Sequence, residues 1–151
     1  MNDVTYGNGR FVAVGGNGQN MYSLDGVTWT AGTGIGSQTL DAVSFANGEF
    51  IAVGDVSVIA SSDGISWVDR STSTGLASWH NFKDVFYSDG KFFAGGWYSG
   101  IRYSSDQGVT WQEAAIATGL SYDIKKIHIE AGVYVASAAR KTDEATVMLV
   151  S

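Results

Sequence analysis

Apolar and polar residues follow one another along the chain in a pattern that occurs four times. Each copy reaches a turn that ends in glycine and, in the clearest cases, continues into an almost unbroken apolar stretch such as Phe50-Ile51-Ala52-Val53. The turn glycines, Gly9, Gly48, Gly90 and Gly132, lie 39, 42 and 42 residues apart. A short apolar stretch without alternation is typical of a strand that is buried on both faces. The pattern therefore predicts four repeats of strands that pack face to face.

The turns within each copy predict how its strands connect. Asn8-Gly9, Asn47-Gly48 and Asp89-Gly90 are two-residue hairpin signals, because a type I′ turn needs a positive φ at both central residues. A second turn-forming segment, which contains Ser, Asp and Gly, follows in the first three copies. Each of these copies is predicted to form four short antiparallel strands, which we label A to D in chain order.

The repeat length decides the architecture. A period of about 40 residues with four strands in each repeat is typical of β-propeller blades. We predict an all-β chain in which residues 1–151 form a single β-propeller domain or a partial propeller. It would have three full four-stranded antiparallel blades and a three-stranded fourth blade. The blades would occupy approximately residues 2–31, 41–70, 83–113 and 123–151.

The segments between strands C and D share a motif. Its three copies consist of Ser23, Asp25, Gly26 and Trp29; Ser61, Asp63, Gly64 and Trp67; and Ser104, Asp106, Gly108 and Trp111. The motif resembles the Asp-box, or BNR repeat, with the pattern S-x-D-x-G-x-x-W, and the first two copies are one residue shorter between Asp and Gly. The resemblance implies a β-propeller and a structural hairpin. We expect the Asp to accept backbone N–H groups, the Gly to take a positive φ and the Trp to pack between sheets.

The same resemblance raises an enzymatic alternative, because Asp-boxes also occur in sialidases. A sialidase-like site would need three converging arginines, an acid/base Asp and a Tyr–Glu nucleophile pair. The arginines of this chain are Arg10, Arg70, Arg102 and Arg140. A triad of Ser78, His80 and Asp84 would lack a nucleophile elbow. We therefore expect no catalytic residues, with a sialidase-like or xyloglucanase-like glycoside hydrolase fragment as the alternative.

Composition and charge exclude several other classes. The chain has no Cys and only two His, which excludes disulfides and a Cys- or His-rich metal site, and we expect no metal and no cofactor. A formal charge of −6 disfavours nucleic acid as a partner. The sequence shows no signal peptide and no apolar run of about 20 residues, so no membrane partner is expected. The compartment stays open; the cytoplasm and a virion are both compatible with the sequence.

Strand connectivity sorts the loops into two faces. In an antiparallel blade the A–B and C–D turns share one end, and the B–C loops and the segments between blades share the other. The longest departure from the repeat, residues 71–81, leads into the third blade on this second face. We predict a patch there, suited to stacking on a sugar ring or to anchoring a protein. Its candidate residues are Trp79, His80, Asn81, Trp97 and Tyr98. The alternative is that Trp79 and Trp97 only fill the groove between blades.

The strand count predicts that the ring is incomplete. The fourth copy reaches Ser151 before its C–D turn and D strand, and propellers typically have about four to eight blades. Apolar blade faces left open need to be covered. We therefore expect a homo-oligomer, a dimer that completes a seven- or eight-bladed ring, or completion by the remainder of a longer parent chain. A monomeric, imperfect four-bladed propeller is the alternative.

These observations favour a non-catalytic binding or structural module that recognises a glycan or a protein. The repeats resemble Asp-box propellers of phage tail and virion proteins, of bacterial surface proteins, of sorting-receptor ectodomains and of a photosystem assembly factor. Besides the glycoside hydrolase fragment, a further alternative is a propeller building block whose main property is self-assembly.

Overall fold

The turns predicted from the sequence divide the chain into hairpins. The central φ angles are 49° and 78° at Asn8 and Gly9, 50° and 79° at Asn47 and Gly48, and 47° and 78° at Asp89 and Gly90. Both central residues of each turn therefore lie in the left-handed region, as a type I′ turn requires, and Asn, Asp and Gly enter that region most readily.

The computed structural model describes residues 1–33, 36–72, 75–77, 80–97, 100–114, 122–130, 133–140 and 146–150. The described residues contain fifteen β-strands. The first sheet consists of β1 (Asp3–Gly7), β2 (Arg10–Val14), β3 (Asn20–Ser23) and β4 (Thr30–Ala31). The second consists of β5 (Leu40–Ala46), β6 (Glu49–Gly54), β7 (Ser57–Ser61) and β8 (Val68–Asp69). The third consists of β9 (Asn81–Ser88), β10 (Lys91–Trp97), β11 (Gly100–Ser104) and β12 (Gln112–Glu113), and the fourth of β13 (Tyr122–Glu130), β14 (Val133–Arg140) and β15 (Thr146–Val150).

The strands of each sheet are antiparallel and follow one another in chain order. Three sheets have four strands and the fourth has three, as the repeat predicts. The last strand of each four-stranded sheet is short, because only two residue pairs join it to its neighbour, for example Met21 with Ala31 and Tyr22 with Thr30. We refer to the four sheets as blades one to four.

The first strand of blades two, three and four carries a bulge at the same repeat position. The pairing with the second strand skips one residue, which is Asp41 in β5, Lys83 in β9 and Lys125 in β13. A bulge leaves one residue outside the ladder and changes the direction of its side chain. Each bulge therefore places a charged residue near the start of the first strand of its blade.

The core consists of three clusters, and each cluster lies between two neighbouring blades. The cluster between blades one and two comprises Val12, Val14, Leu40, Val43, Phe50, Ala52, Ile59 and Trp67. The cluster between blades two and three comprises Ala42, Ile51, Val53, Val58, Ala60, Phe82, Val85, Phe92, Ala94 and Trp111. Between blades three and four lie Phe93, Ile101, Ile124, Ile127 and Ala136.

Strand β6 shows why its sequence is apolar throughout. Phe50 and Ala52 point towards blade one, and Ile51 and Val53 point towards blade three; all four are fully buried. Successive side chains of a strand point to opposite faces, so a strand between two blades needs apolar residues at every position.

We expect the packing between blades two and three to stabilise blade two. Val58, 1% exposed, lies in that cluster, whereas Val68 of the same blade is 62% exposed. Val58→Ala removes two buried carbon atoms and leaves a cavity, which lowers the free energy of unfolding by about 2 kcal/mol. Val68→Ala, the matched control, changes it by less than about 0.5 kcal/mol. Urea denaturation measures both, and equal effects would contradict the packing described here.

Candidate functional site

Each of the three Ser-Asp motifs folds into a turn that is closed by its own side chains. We call the segments 23–29, 61–67 and 104–111 the Ser-Asp turns. In the second turn the Ser61 hydroxyl donates to Asp63 Oδ1 over 3.0 Å and accepts from the Gly64 N–H over 2.8 Å. The same Asp63 oxygen accepts the N–H groups of Ile65 and Ser66 at 2.8 Å each. The network needs only residues of its own segment, so it forms from local sequence.

The first and third Ser-Asp turns form the same network despite their different lengths. In the first, Asp25 Oδ1 accepts the N–H groups of Val27 and Thr28 at 2.8 and 2.7 Å. In the third, the extra residue Gln107 takes a φ of 60°, and Asp106 accepts from both the N–H and the hydroxyl of Thr110. The turn thus accommodates the inserted residue Gln107 in a left-handed conformation and keeps its hydrogen bonds.

The tryptophans that close these turns differ in burial. Trp67 and Trp111 are buried at 9% and 3% exposure, each in the cluster that its blade forms with the preceding blade. Trp29, at the same position of blade one, is half-buried and lines an open groove. The tryptophans of blades two and three therefore face the blade before them, whereas Trp29 faces the groove.

Hydrogen bonds keep the turn carboxylates ionised. The N–H groups of Thr28 and Val27 and the Ser23 hydroxyl hold the pKa of Asp25 far below its usual value. The N–H of Ser66 contributes most to lowering the pKa of Asp63, against a smaller opposing effect of burial. For Asp106, burial acts to raise the pKa, but the hydrogen bonds from Thr110 and Ser104 together outweigh it and lower the pKa.

The two ends of the blades make different contacts, as strand connectivity predicts. At one end, which we call the turn face, the A–B turns touch the Ser-Asp turn of the next blade: Asn8 Nδ2 donates to the Ser62 carbonyl, and Gln107 Nε2 donates to the Asn47 carbonyl. At the other end, which we call the loop face, the Asp55 N–H donates to the Thr39 carbonyl, joining a B–C loop to the segment between blades.

A connected group of polar and aromatic side chains lies on the loop face, across blades two and three. We call Asp41, Asp55, Asn81, Lys83 and Trp97 the loop-face patch. The bulge residues Asp41 and Lys83 form an ion pair of 2.8 Å. The Lys83 ammonium also lies 4.7 Å from the centre of the Trp97 ring, a cation–π contact.

The remaining residues of the patch continue this chain of contacts. Trp97 pairs with Asn81 in the sheet, and Asn81 Nδ2 donates to Asp55 Oδ1 over 2.8 Å. Asp55 is exposed and Trp97 is 44% exposed. The patch therefore presents an aromatic ring with a cation and two carboxylates around it, all held by fixed partners.

The structure separates the five residues that the sequence suggests for ligand binding. Trp97 and Asn81 lie in the loop-face patch, whereas Trp79 and Tyr98 lie outside the described residues. His80 is 3% exposed, its ring centre lies 5.8 Å from that of Phe82, and its Nδ1 accepts the Ala77 N–H. Burial lowers the pKa of His80, with a further contribution from the charge of Arg102. His80 thus lies beneath the surface as a neutral ring.

Polar contacts also join successive blades near the start of their first strands. Asp3 Oδ2 accepts the Val43 N–H over 2.9 Å, and Asp84 Oδ2 accepts the Ile127 N–H over 2.7 Å. Lys126 Nζ lies 3.0 Å from the second oxygen of Asp84. In both cases a carboxylate of one blade binds the backbone of the next, so these groups fix the position of neighbouring first strands.

Sequence reasoning missed these contacts and the bulge residues, although the sequence carries a signal for them. Asp41 and Lys83, and likewise Asp84 and Lys126, are 42 residues apart, which is one repeat. Opposite charges at one repeat position of successive blades predict contacts across the blade boundary.

The arginines whose side chains the structure describes have separate surroundings. Arg70 pairs with Glu49 at 2.8 Å and also donates to the Gln107 carbonyl. Arg102 lies 3.6 Å from Glu113, and Arg10 lies over the Tyr22 ring at 5.6 Å. The three do not share one anionic partner in these contacts.

Within the described part of the chain, no cluster of His, Cys, Asp and Glu has a size or arrangement that would hold a metal ion. The described residues also contain no helix that is long and apolar enough to cross a membrane.

Comparisons with known proteins identify the fold. No protein-family model matches the chain, and no curated protein matches it. Over 97% of its length the chain is similar to 53% of the chain of YCF48 bound to D1 peptide, with 22% identity and a TM-score of 0.68. It is similar, also over 97% of its length, to 88% of the chain of the computationally designed Ika4 protein, with 12% identity and a TM-score of 0.70. It is also similar, again over 97% of its length, to 52% of the chain that contains the WD40 β-propeller domain of Doa1, with 14% identity and a TM-score of 0.58.

These three proteins are β-propellers, and the four antiparallel blades of this chain have the β-propeller fold. The chain spans about half the length of the YCF48 and Doa1 chains that it matches.

The Ser-Asp turns predict a specific acid sensitivity. A carboxylate whose pKa is lower in the folded than in the unfolded chain stabilises the fold above the unfolded value of 3.8, and this contribution is lost as the pH falls through the folded pKa. Asp63→Asn removes the charge, so we expect a loss of about 1–2 kcal/mol near pH 7 that shrinks near pH 3.

Asp89→Asn serves as the control, because Asn already occupies the equivalent turn positions Asn8 and Asn47. Urea denaturation at both pH values measures the effect. A loss for Asp63→Asn that is the same at both would show that the charge of Asp63 does not stabilise the turn.

Proposed function

We propose that this chain is a non-catalytic β-propeller module that binds a protein segment through its loop face. The observation that carries the proposal is the Trp97 ring, 44% exposed at the end of β10 and held by Lys83. A large aromatic ring that is already fixed loses little conformational freedom on binding. Such rings are frequent centres of protein interfaces.

The charges around the ring support a polypeptide as the partner. Asp41 and Asp55 offer carboxylate oxygens, and Lys83 and Asn81 offer N–H donors. An extended polypeptide presents donors and acceptors in alternation, so it can use both kinds of group while a side chain packs on Trp97. In the YCF48 structure a propeller of the same fold is bound to a peptide.

A glycan is the second candidate for the same patch. An exposed tryptophan with a neighbouring carboxylate and amide suits stacking on a sugar ring, with hydrogen bonds to its hydroxyl groups. In this proposal Trp79 and Tyr98 belong to the same binding region, and His80 supports it from below.

The partners of the carboxylates support the absence of catalysis. Asp25, Asp63 and Asp106 accept hydrogen bonds within the Ser-Asp turns, for which we propose a purely structural role. Other carboxylates hold neighbouring blades or form ion pairs: these are Asp3, Asp41, Glu49, Asp84 and Glu113. A glycosidase needs two carboxyl groups that oppose one another across a substrate.

We also propose that self-association completes the propeller, with two chains forming one ring of seven or eight blades. Support comes from the length comparison, because the chain spans 53% of the YCF48 chain. Completion by the remainder of a longer parent chain is the alternative source of further blades.

The binding proposal predicts that Trp97 dominates affinity for the partner. Screening a defined random-peptide library and a glycan array with the intact chain identifies a binder, and titration then compares variants. Trp97→Ala is expected to weaken peptide binding at least about tenfold. The control is Val109→Ala, which changes a 51% exposed residue of the same blade in a Ser-Asp turn. If the chain binds glycans and no peptide, the partner is a sugar rather than a protein segment. If the Trp97→Ala variant binds the partner as tightly as the unchanged chain, the loop-face patch is not the binding site.

The absence of catalysis is tested separately. We expect no turnover of a panel of fluorogenic glycosides, because the described carboxylates serve turns, blade joints and ion pairs. Turnover that a single carboxylate-to-amide substitution abolishes would contradict the proposal and favour the glycoside hydrolase alternative.

A further inference from the structure

Equivalent positions of the repeat point towards the preceding blade. In blade two these positions are Val43, Ala52, Ile59 and Trp67, and all four lie in the cluster shared with blade one. In blade three, Val85, Ala94 and Trp111 lie in the cluster shared with blade two. The same strand positions therefore form one side of successive contacts between blades.

In blade one these positions border an open groove, where Val4 is exposed, Met21 and Trp29 are half-buried and Ala13 is buried. They are Val4, Ala13, Met21 and Trp29, and together with residues 1–3 they line a groove of about 520 Å³. Val4 is 55% exposed, whereas Val43 and Val85 are each 4% exposed. At the positions where blades two and three contact the preceding blade, blade one thus has an apolar groove that is open to solvent and suits contact with another blade.

The complementary side of each contact also follows the repeat. Positions that point towards the next blade are Val12 and Val14 in blade one, Ile51 and Val53 in blade two, and Phe86 and Phe93 in blade three. In blade four the same positions hold His128, Val135 and Ser137. His128 is exposed, and Val135 and Ser137 are half-buried. The outward face of blade four thus has the repeat positions that contact the next blade elsewhere, with Ser137 at the position that Val14 and Val53 occupy in blades one and two.

Charge favours a second copy as the source of that blade, and two copies have about the length of one YCF48 chain. Lys125 of blade four is exposed, and blade one carries Asp3 near the same level of its first strand. Between blades three and four a lysine of one blade pairs with an aspartate of the other, in the contact between Lys126 and Asp84. Because the chain spans 53% of the YCF48 chain, two copies supply about the residues of one such chain.

We infer that the groove of blade one binds the outward face of blade four of a second copy, so that two chains close head to tail into one eight-bladed ring. The inference rests on the proposed self-association and names its interface. In a closed pair the same contact forms twice, once at each junction, which leaves neither groove open.

Light scattering on a size-exclusion column tests the assembly. The expected mass is about 32 kDa, twice the 16.0 kDa of one chain. Val4→Glu places a charge in the groove and is expected to return the mass to that of one chain. Val27→Glu, at an 83% exposed position in the turn of the same blade, leaves the dimer intact. Circular dichroism checks that both variants keep the strand content of the unchanged chain.

The possible outcomes test three hypotheses independently: this interface, self-association by any interface, and ligand binding at Trp97. A dimer that Val4→Glu leaves intact would retain self-association and overturn the interface. An unchanged chain of 16.0 kDa would overturn both, while binding at Trp97 would still be measurable on the single chain.

A disulfide between the two faces gives a second, direct measurement. The chain has no Cys, so the double variant Val4→Cys and His128→Cys can form a bond only between the introduced residues. After oxidation we expect a band at twice the mass of one chain on a non-reducing gel, lost on reduction. A bond within one chain would show that blade four closes on blade one of the same copy, and it would overturn the inference in favour of a four-bladed ring.

Discussion

The blades of this chain depend on apolar contacts with the neighbouring blades. Sheets of three or four short strands need an apolar face packed against another element, and the three clusters of the core all lie between blades rather than within one. The strand β6 shows the consequence for sequence, since both of its faces are fully buried and polar side chains are absent from its centre. Stability is therefore a property of neighbouring pairs of blades.

This dependence on neighbouring blades explains why the two ends of the blades use different kinds of hydrogen bond. On the turn face, the Ser-Asp turns satisfy their backbone with their own Ser and Asp side chains, so each hairpin closes without help from a neighbour. Near the start of the first strands, Asp3 and Asp84 bind the backbone of the next blade. Contacts across blade boundaries occur at both ends of the blades, and the side chains of the loop face differ from blade to blade.

The same distinction decides what the sequence predicts. The turns at Asn8-Gly9 and Asn47-Gly48 follow from φ preferences of two adjacent residues, and the blade pattern follows from the period, so both are readable along the chain. The bulges at Asp41 and Lys83 depend on the register between two strands, which no single segment determines. The burial of His80 was missed for a related reason: it belongs to the longest departure from the repeat, where no equivalent position exists for comparison.

The position of the loop-face patch links binding to the packing between blades. Asp41 and Asp55 belong to blade two, whereas Asn81, Lys83 and Trp97 belong to blade three, so the distances within the patch are set by the apolar cluster beneath it. A closed ring would restrict the movement of one blade against the next, because each blade would be held on both sides. The patch would then lose less freedom when a partner binds. If both proposals hold, closure of the ring at blades one and four would favour recognition on the loop face by restricting the movement of blades two and three, although the two functions use different residues.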